Sequence, residues 1–308
     1  MADIQWFPGH MAKTRRQMEK VLPMVDAVLE LCDARIPAAS RNPMLGEIIG
    51  NKPLVLLLNK CDVADPAVTK RWISEFERGG GLAVAADCKT GTNVQRAVDA
   101  CCELLADKLR AFAQKGMTGR TPRILVAGVP NVGKSSLINR LSGSARAKTE
   151  DRPGVTRQNQ WYSVHKKAEL LDTPGILWPK FGDPHVGFLL AVTGAVKDTL
   201  FDTEELAARL LTQLSTETPD LLAARYGSEL QAVSGDLRVT DGKLPDWQID
   251  ESSVFSAGLE LLSAVARTRG MLKSGGLPDT ERAAIMVLDE FRAGKIGRIS
   301  LENPTAIP

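Results

Sequence analysis

Cysteine is scarce in this chain and confined to one end of it. Of 308 residues, five are cysteine (Cys32, Cys61, Cys88, Cys101 and Cys102), an odd number within the first third and without a C-x-x-C pair. Such usage argues against a disulfide framework and against a zinc site, and a reducing compartment is its natural setting. An excess of either charge is missing too: 39 Lys and Arg stand against 37 Asp and Glu, a formal net charge of +2. Whole-chain charge therefore neither demands nor excludes a nucleic-acid partner, and local clusters must decide. No apolar run approaches the roughly 20 residues that a bilayer crossing requires. The opening "MADIQWFPGH" has no basic region followed by an apolar run, so it does not read as a secretory signal, nor as an Arg- and Ser-rich transit peptide. Internal repeats, low-complexity tracts and long runs of like charge are absent. What is left is an ordinary globular composition, 44% hydrophobic and 25% charged. It is long enough for one sizeable core and a smaller second one. The expected location is the cytoplasm.

Residues 8–22, "PGHMAKTRRQMEKVL", open on Pro-Gly and have the spacing of a helix with Lys13, Arg16 and Lys20 on one side. The apolar runs "MVDAVLELCDAR", "PLVLLLNK" and "GLAVAA" follow, separated by helical stretches such as 66–78 and closed by a helix over 92–115. Strands alternating with helices predict a mostly parallel sheet with helices on both faces. The Gly, Thr and Pro of "KGMTGRTP" break both periodicities and mark a connector. "RILVAGVP" then opens a second strand–loop–helix unit, and "AELLDTPG" supplies another strand. Beyond about residue 186 strand signals fade, and 203–215, 252–267 and 280–293 have helical spacing. The expected architecture is an α/β domain over 1–186 (halves 1–115 and 123–186, connector 116–122) and a smaller all-α domain over 187–308.

Gly128-x-x-x-x-Gly133-Lys134-Ser135 is a full phosphate-loop pattern between a β-type run and a helix. Its glycines, with Pro130, Asn131, Val132 and Ser136, let backbone N–H groups wrap a phosphate at the positive end of the helix. Lys134 is placed for the β- and γ-phosphates, and the Ser135 hydroxyl for magnesium. Upstream, Asn59-Lys60-Cys61-Asp62 ends a strand. Asp62 can accept from the guanine N1–H and exocyclic amine, a donor pair adenine lacks, while Asn59 supports the base edge and the Lys60 stem covers the ring. "AADCKTG" (85–91) follows the next strand and puts Asp87, Cys88 and Lys89 where a base-contacting loop belongs. A plain strand-end turn is the alternative there.

In the usual GTPase order the phosphate loop comes first; here guanine is read first. Three strands ending at Asn59, Gly128 and Asp172 nonetheless deliver their loops to one rim of a parallel sheet, where ligands bind. Joining the old termini and cutting elsewhere preserves that rim. The expected fold is thus a circularly permuted P-loop GTPase domain. Asp172 of "DTPG" is placed for the magnesium shell, the Gly175 N–H for the γ-phosphate, and Thr156 of "EDRPGVTRQ" for a second magnesium contact. Ile176 stands where a Ras-like enzyme has its water-positioning glutamine, so hydrolysis unaided is expected to be slow. His10 is a candidate for orienting that water; packing or capping the first helix is an equal alternative. Asn131 is a candidate for helping to hold a potassium ion that supplies positive charge.

Together "WFPGHM", "DARIP" (33–37), "NKCD", "GVPNVGKSS", "PGVT", "DTPG" and the late "RGMLKSGGLPDTERAA" and "LDEFRAGKIGRISLE" resemble the YlqF/RbgA family of circularly permuted GTPases, over nearly the whole chain. The resemblance implies GTP and GDP as ligands, magnesium, and a factor that binds the large ribosomal subunit precursor and hydrolyses GTP in late assembly. Other permuted assembly GTPases carry a Cys/His zinc site; no cysteine follows Cys102 here, and neither zinc nor a membrane is expected. Arg267, Arg269, Lys273, Arg282, Arg292, Lys295 and Arg298, with Lys13, Arg15, Arg16 and Lys20 and with Arg146, Lys148, Arg152 and Arg157, offer charge to rRNA phosphates. A solvated face is the alternative reading of those charges. A nucleotide-dependent RNA-binding module with negligible hydrolysis is the alternative function. Because "DTPG" leads through "ILWPKFGDPH" into the helical domain, γ-phosphate contacts are expected to set how that domain sits.

Overall fold

A computed structural model describes residues 15–16, 18–117, 119–143, 160–164, 167–173, 183–230 and 251–304. His10, Thr156 and Gly175 lie outside the described residues.

Six strands form one sheet: β1 (Ala27–Asp33), β2 (Leu54–Asn59), β3 (Leu82–Ala85), β4 (Arg123–Gly128), β5 (Gln160–Val164) and β6 (Ala168–Asp172). Their order is β3-β2-β1-β4-β6-β5, parallel throughout except for β5, which runs antiparallel to β6 at one edge. Every residue of β1 is buried, as a central strand covered on both faces requires. The β5 strand was not legible beforehand. It is an edge strand that exposes Gln160, Trp161 and Ser163, so its apolar content is too thin to announce it.

Helix α1 spans Pro43–Ile49 and α2 spans Pro66–Arg78, the extent its periodicity predicts. Asp65 sets the start of α2 by accepting from the N–H groups of Ala67 and Val68 (2.7 and 2.9 Å), with Pro66 at the first helical position. Such a cap is worth about 1 kcal/mol. The helix expected over 92–115 is two: α3 (Val94–Leu104) and α4 (Ala106–Gln114). The joint is Leu105, with ψ near 0°, and its side chain is buried whereas α4 buries no residue. Helix α5 (Lys134–Ser142) follows β4 directly.

Two apolar clusters cover one face of the sheet. Met18, Val21, Leu22, Leu45 and Ile49 pack on Val28, Leu125, Ala127 and Leu171. Val68 and Trp72 of α2 pack on Cys32, Leu56, Leu58 and Ala83. Each fully buried Leu, Ile or Val stabilises the fold by roughly 1.5–3 kcal/mol. Helix α3 packs against β1, β2 and β3, and α5 against β4, β5 and β6.

A second compact unit runs from His185 to Gly297. It contains most of α6 (Pro184–Val192) together with α7 (Thr203–Glu217), α8 (Pro219–Tyr226), α9 (Glu251–Thr268) and α10 (Thr280–Arg292), with no strand among its described residues. Helices α7 and α9 meet at Gly258, where a Cβ would lie 2.4 Å from the Ala208 carbonyl oxygen, so only glycine permits that approach. The expectation of one continuous domain over 187–308 departs from the chain at its end. Residues 298–304 belong to the first unit, where they pair with loops far away in sequence.

Candidate nucleotide-binding site

The carboxyl ends of β1, β2, β4 and β6 present Asp33, Asn59, Gly128 and Asp172 along one rim, in register as Asp33 beside Asn59, Leu31 beside Gly128 and Val126 beside Asp172. After β4 the chain must turn tightly. Gly128 has φ +149°, and a Cβ there would stand 2.6 Å from the Leu31 carbonyl oxygen. Gly133, at φ +109°, leaves 2.2 Å between an added Cβ and the Asn59 amide nitrogen. Gly128 is therefore dictated by the neighbouring backbone, and Gly133 by its left-handed φ and the Asn59 side chain packed against it.

Lys134 opens α5 with its side chain buried, donating from Nζ to the carbonyls of Gly128 (3.0 Å) and Val129 (2.8 Å). Burial lowers its pKa to about 8, and the charge of nearby Asp172 pulls it back up. Asp172 itself is buried, and Thr173 beside it donates to the Val126 carbonyl (2.8 Å). Asn131 holds φ +55°, and Ser135 and Ser136 are half-buried in the first turn of α5.

One side chain joins the two halves of the chain. The Asn59 amide donates from Nδ2 to the Val132 carbonyl (2.6 Å) and accepts at Oδ1 from the Cys88 N–H (2.9 Å). The phosphate loop, the Asn-Lys-x-Asp segment and the 85–91 loop are thereby one assembly. A second link runs from Arg140 of α5 to the Lys89 carbonyl. Asp87 turns both carboxylate oxygens onto its own loop, accepting from the Lys89 N–H and from the Thr90 N–H and hydroxyl. In this structure it shapes the loop. Cys88 is buried and burial pushes its thiol up, so it contributes through its backbone. Lys89 and Asp62 are exposed at the rim, and Cys61 is half-buried between its neighbours.

Lys60, at φ +63°, sends Nζ to within 3.0 Å of Asp33 Oδ2. Asp33 is also gripped by Arg35, through Nε (2.9 Å), Nη2 (2.8 Å) and the backbone N–H (3.1 Å). Burial pushes the Asp33 carboxyl up, but Arg35 and Lys60 outweigh it and hold the group well below the usual carboxylate range. In the sequence "DARIP" contributes only to the family resemblance. The signal was there: an acid at a strand end with arginine two residues on, beside a strand that ends in Asn-Lys. Asp33→Asn is expected to strand the buried Arg35 cation and cost roughly 3–5 kcal/mol. Urea denaturation checks this, and an unchanged midpoint would remove Asp33 from the framework.

With the Asn-Lys-x-Asp segment after β2 and the phosphate-loop pattern after β4, the fold is that of a P-loop GTPase whose chain order is circularly permuted. A family model described as "50S ribosome-binding GTPase" matches residues 123–217. Ribosome biogenesis GTPase A of Priestia megaterium is 44% identical over 303 residues, covering 98% of this chain and 97% of that one. The Thermotoga maritima protein of the same name is 30% identical over 304 residues, covering 99% and 96%. The crystal structure of GNP-bound YlqF from T. maritima superposes with a TM-score of 0.59 at 27% identity, covering 96% of this chain and all of that one. The chain belongs to the ribosome biogenesis GTPase A family.

Proposed function

We propose that this chain binds GTP and GDP on the rim of β1, β2, β4 and β6, hydrolyses GTP, and acts in late maturation of the large ribosomal subunit. The observation that carries the nucleotide part is the Asn59 amide, which fixes the guanine-reading loop against the phosphate loop. In the proposed complex the phosphate-loop N–H groups and the N-terminus of α5 receive the phosphates, and Lys134 exchanges its two carbonyls for β- and γ-oxygens. Asp62 receives the guanine N1–H and amine. The Ser135 hydroxyl and Asp172 carboxylate form an oxygen donor set suited to magnesium, with Thr156 joining from the switch. Magnesium draws most of its ligands from water and phosphate, so two protein oxygens are enough to place it. When bound, magnesium neutralises charge on the β- and γ-phosphates. Asn131 is assigned to a potassium ion, Gly175 to the γ-phosphate and His10 to the attacking water.

The ribosomal part rests on the relatives, which are named for ribosome biogenesis, and on the late basic residues from Arg267 to Arg298. Two of those are occupied within the fold: Arg292 binds Asp198 and the carbonyls of Ala191 and Val192, and Arg298 binds loop carbonyls of the first unit. Arg269 likewise donates to the Arg225 carbonyl (2.9 Å), and Lys273 and Arg282 flank Asp279 at 3.9 and 4.0 Å, so Arg267 and Lys295 are the exposed cations offered first to rRNA phosphates. No helix among the described residues is long and apolar enough to cross a membrane.

GTP turnover measured with and without large subunits, in potassium and in sodium, tests the reading. It is expected to be slow alone, to rise by roughly tenfold or more on the subunit as charge is supplied to the transition state, and to be faster in potassium. Negligible turnover in every arm would leave a nucleotide-dependent RNA-binding module. Equal affinity of the GTP and GDP forms for subunit precursors would remove the switch.

A further inference from the structure

The late motif "GRISLE" crosses the first unit as a strap, and its contacts concentrate on one loop. Arg298 donates from Nε to the Ala64 carbonyl (3.0 Å) and from Nη2 to the Cys61 carbonyl (2.7 Å). The Ile299 N–H donates to the Val63 carbonyl (3.0 Å). The Asp65 N–H donates to the Ser300 hydroxyl (3.1 Å), and the Leu301 N–H to the Arg35 carbonyl (2.8 Å). The carbonyls on either side of Asp62 are thus tied down by residues 298 and 299, while Asp62 itself faces outward. Beyond them, Glu302 accepts from the N–H groups of Ala38 (2.7 Å) and Ala39 (3.0 Å), and its carbonyl accepts from Trp72 Nε1 (3.1 Å). Ile299 and Leu301 are buried beneath. Both ends of the strap are anchored, so its middle has little freedom.

The loop needs such a hold. It starts at Lys60 in the left-handed region, where a non-glycine residue is strained, and it is too short to build helix or strand of its own. A bidentate guanidinium across two carbonyls fixes the direction of the peptide planes between them, which a lysine, with a single ammonium, does less well.

We propose that Arg298 is a positioning residue for guanine recognition, holding the 60–64 loop so that the Asp62 carboxylate meets the base edge. This rests on the reading of the rim as a guanine-nucleotide site. It predicts an effect on the contact Asp62 makes and none on the phosphate contacts. Inosine diphosphate, which keeps the N1–H but lacks the exocyclic amine, makes one of the two Asp62 contacts and all of the phosphate contacts, so comparing it with GDP separates the two.

The test is calorimetry of the full chain with GDP, IDP and ADP in magnesium at pH 8, which keeps Glu302, lifted by burial to about 7, in its acceptor form. Arg298→Ala is expected to weaken GDP by about tenfold, the size of a lost oriented hydrogen bond to a charged group, and to weaken IDP by less, because IDP has one Asp62 contact to lose where GDP has two. The GDP-to-IDP preference therefore narrows. Arg298→Lys is expected to restore part of that preference, and it stands in should the alanine variant not fold. A variant that lowers thermal stability but keeps the wild-type GDP-to-IDP ratio overturns the assignment, because strap and loop would then be only structural. If the wild type itself takes ADP as tightly as GDP, the guanine reading fails first, and that outcome is distinct from the former.

Discussion

Replacing Lys134 by alanine is expected to lower GTP turnover by at least about a thousandfold, in keeping with the loss of a buried cation aimed at developing phosphate charge. The ammonium sits at the base of the loop and donates to two carbonyls, in a site where burial already lowers its pKa to about 8. Placing a positive charge there costs desolvation, and the free protein is thus not stabilised by it on balance. Alanine is also a better helix former than lysine in the first turn of α5. Thermal stability should move by no more than about 1 kcal/mol while catalysis collapses. Single-turnover hydrolysis alongside a melting curve separates the two. A variant that hydrolyses GTP at the wild-type rate would overturn the site.

Asp62→Asn should change which base is accepted. A carboxylate offers two acceptors, which suit the paired N–H donors of guanine. An amide offers one acceptor and one donor, which suit xanthine, whose edge has an N–H beside a carbonyl. GTP affinity is expected to fall by roughly tenfold to a hundredfold, from the 1–3 kcal/mol typical of a bidentate base contact, and XTP affinity to rise. Asp62 is exposed, and its loop is held through the carbonyls of its neighbours, so the substitution leaves the framework intact. Competition between the two triphosphates reads the exchange directly. Unchanged GTP preference would mean that the base is read elsewhere.

Much of the fold was legible because the relevant physics is local. A strand buried on both faces writes a near-continuous apolar run, as β2 does up to Asn59 and β1 does but for Glu30 and Asp33. An aspartate before proline starts α2, and the glycine-rich turn before Lys134 announces itself by spacing alone. The break at Leu105 was hidden because residues on both sides of it remain helical and only the exposure of α4 changes. The edge strand β5 was hidden for want of apolar residues, since half of it faces solvent.

Short-range chemistry, then, settled which residues could cradle phosphate and which could read guanine, since each of those motifs works within a few consecutive positions. Tertiary structure alone decided that Asn59 would join them, that Lys60 would reach the Asp33 carboxylate, and that Arg298 would return across more than 230 residues to the loop beside Asp62. Hydrogen bonds of that kind leave no period in the chain. Their partners are brought together only when burial of the sheet has already closed the intervening loops.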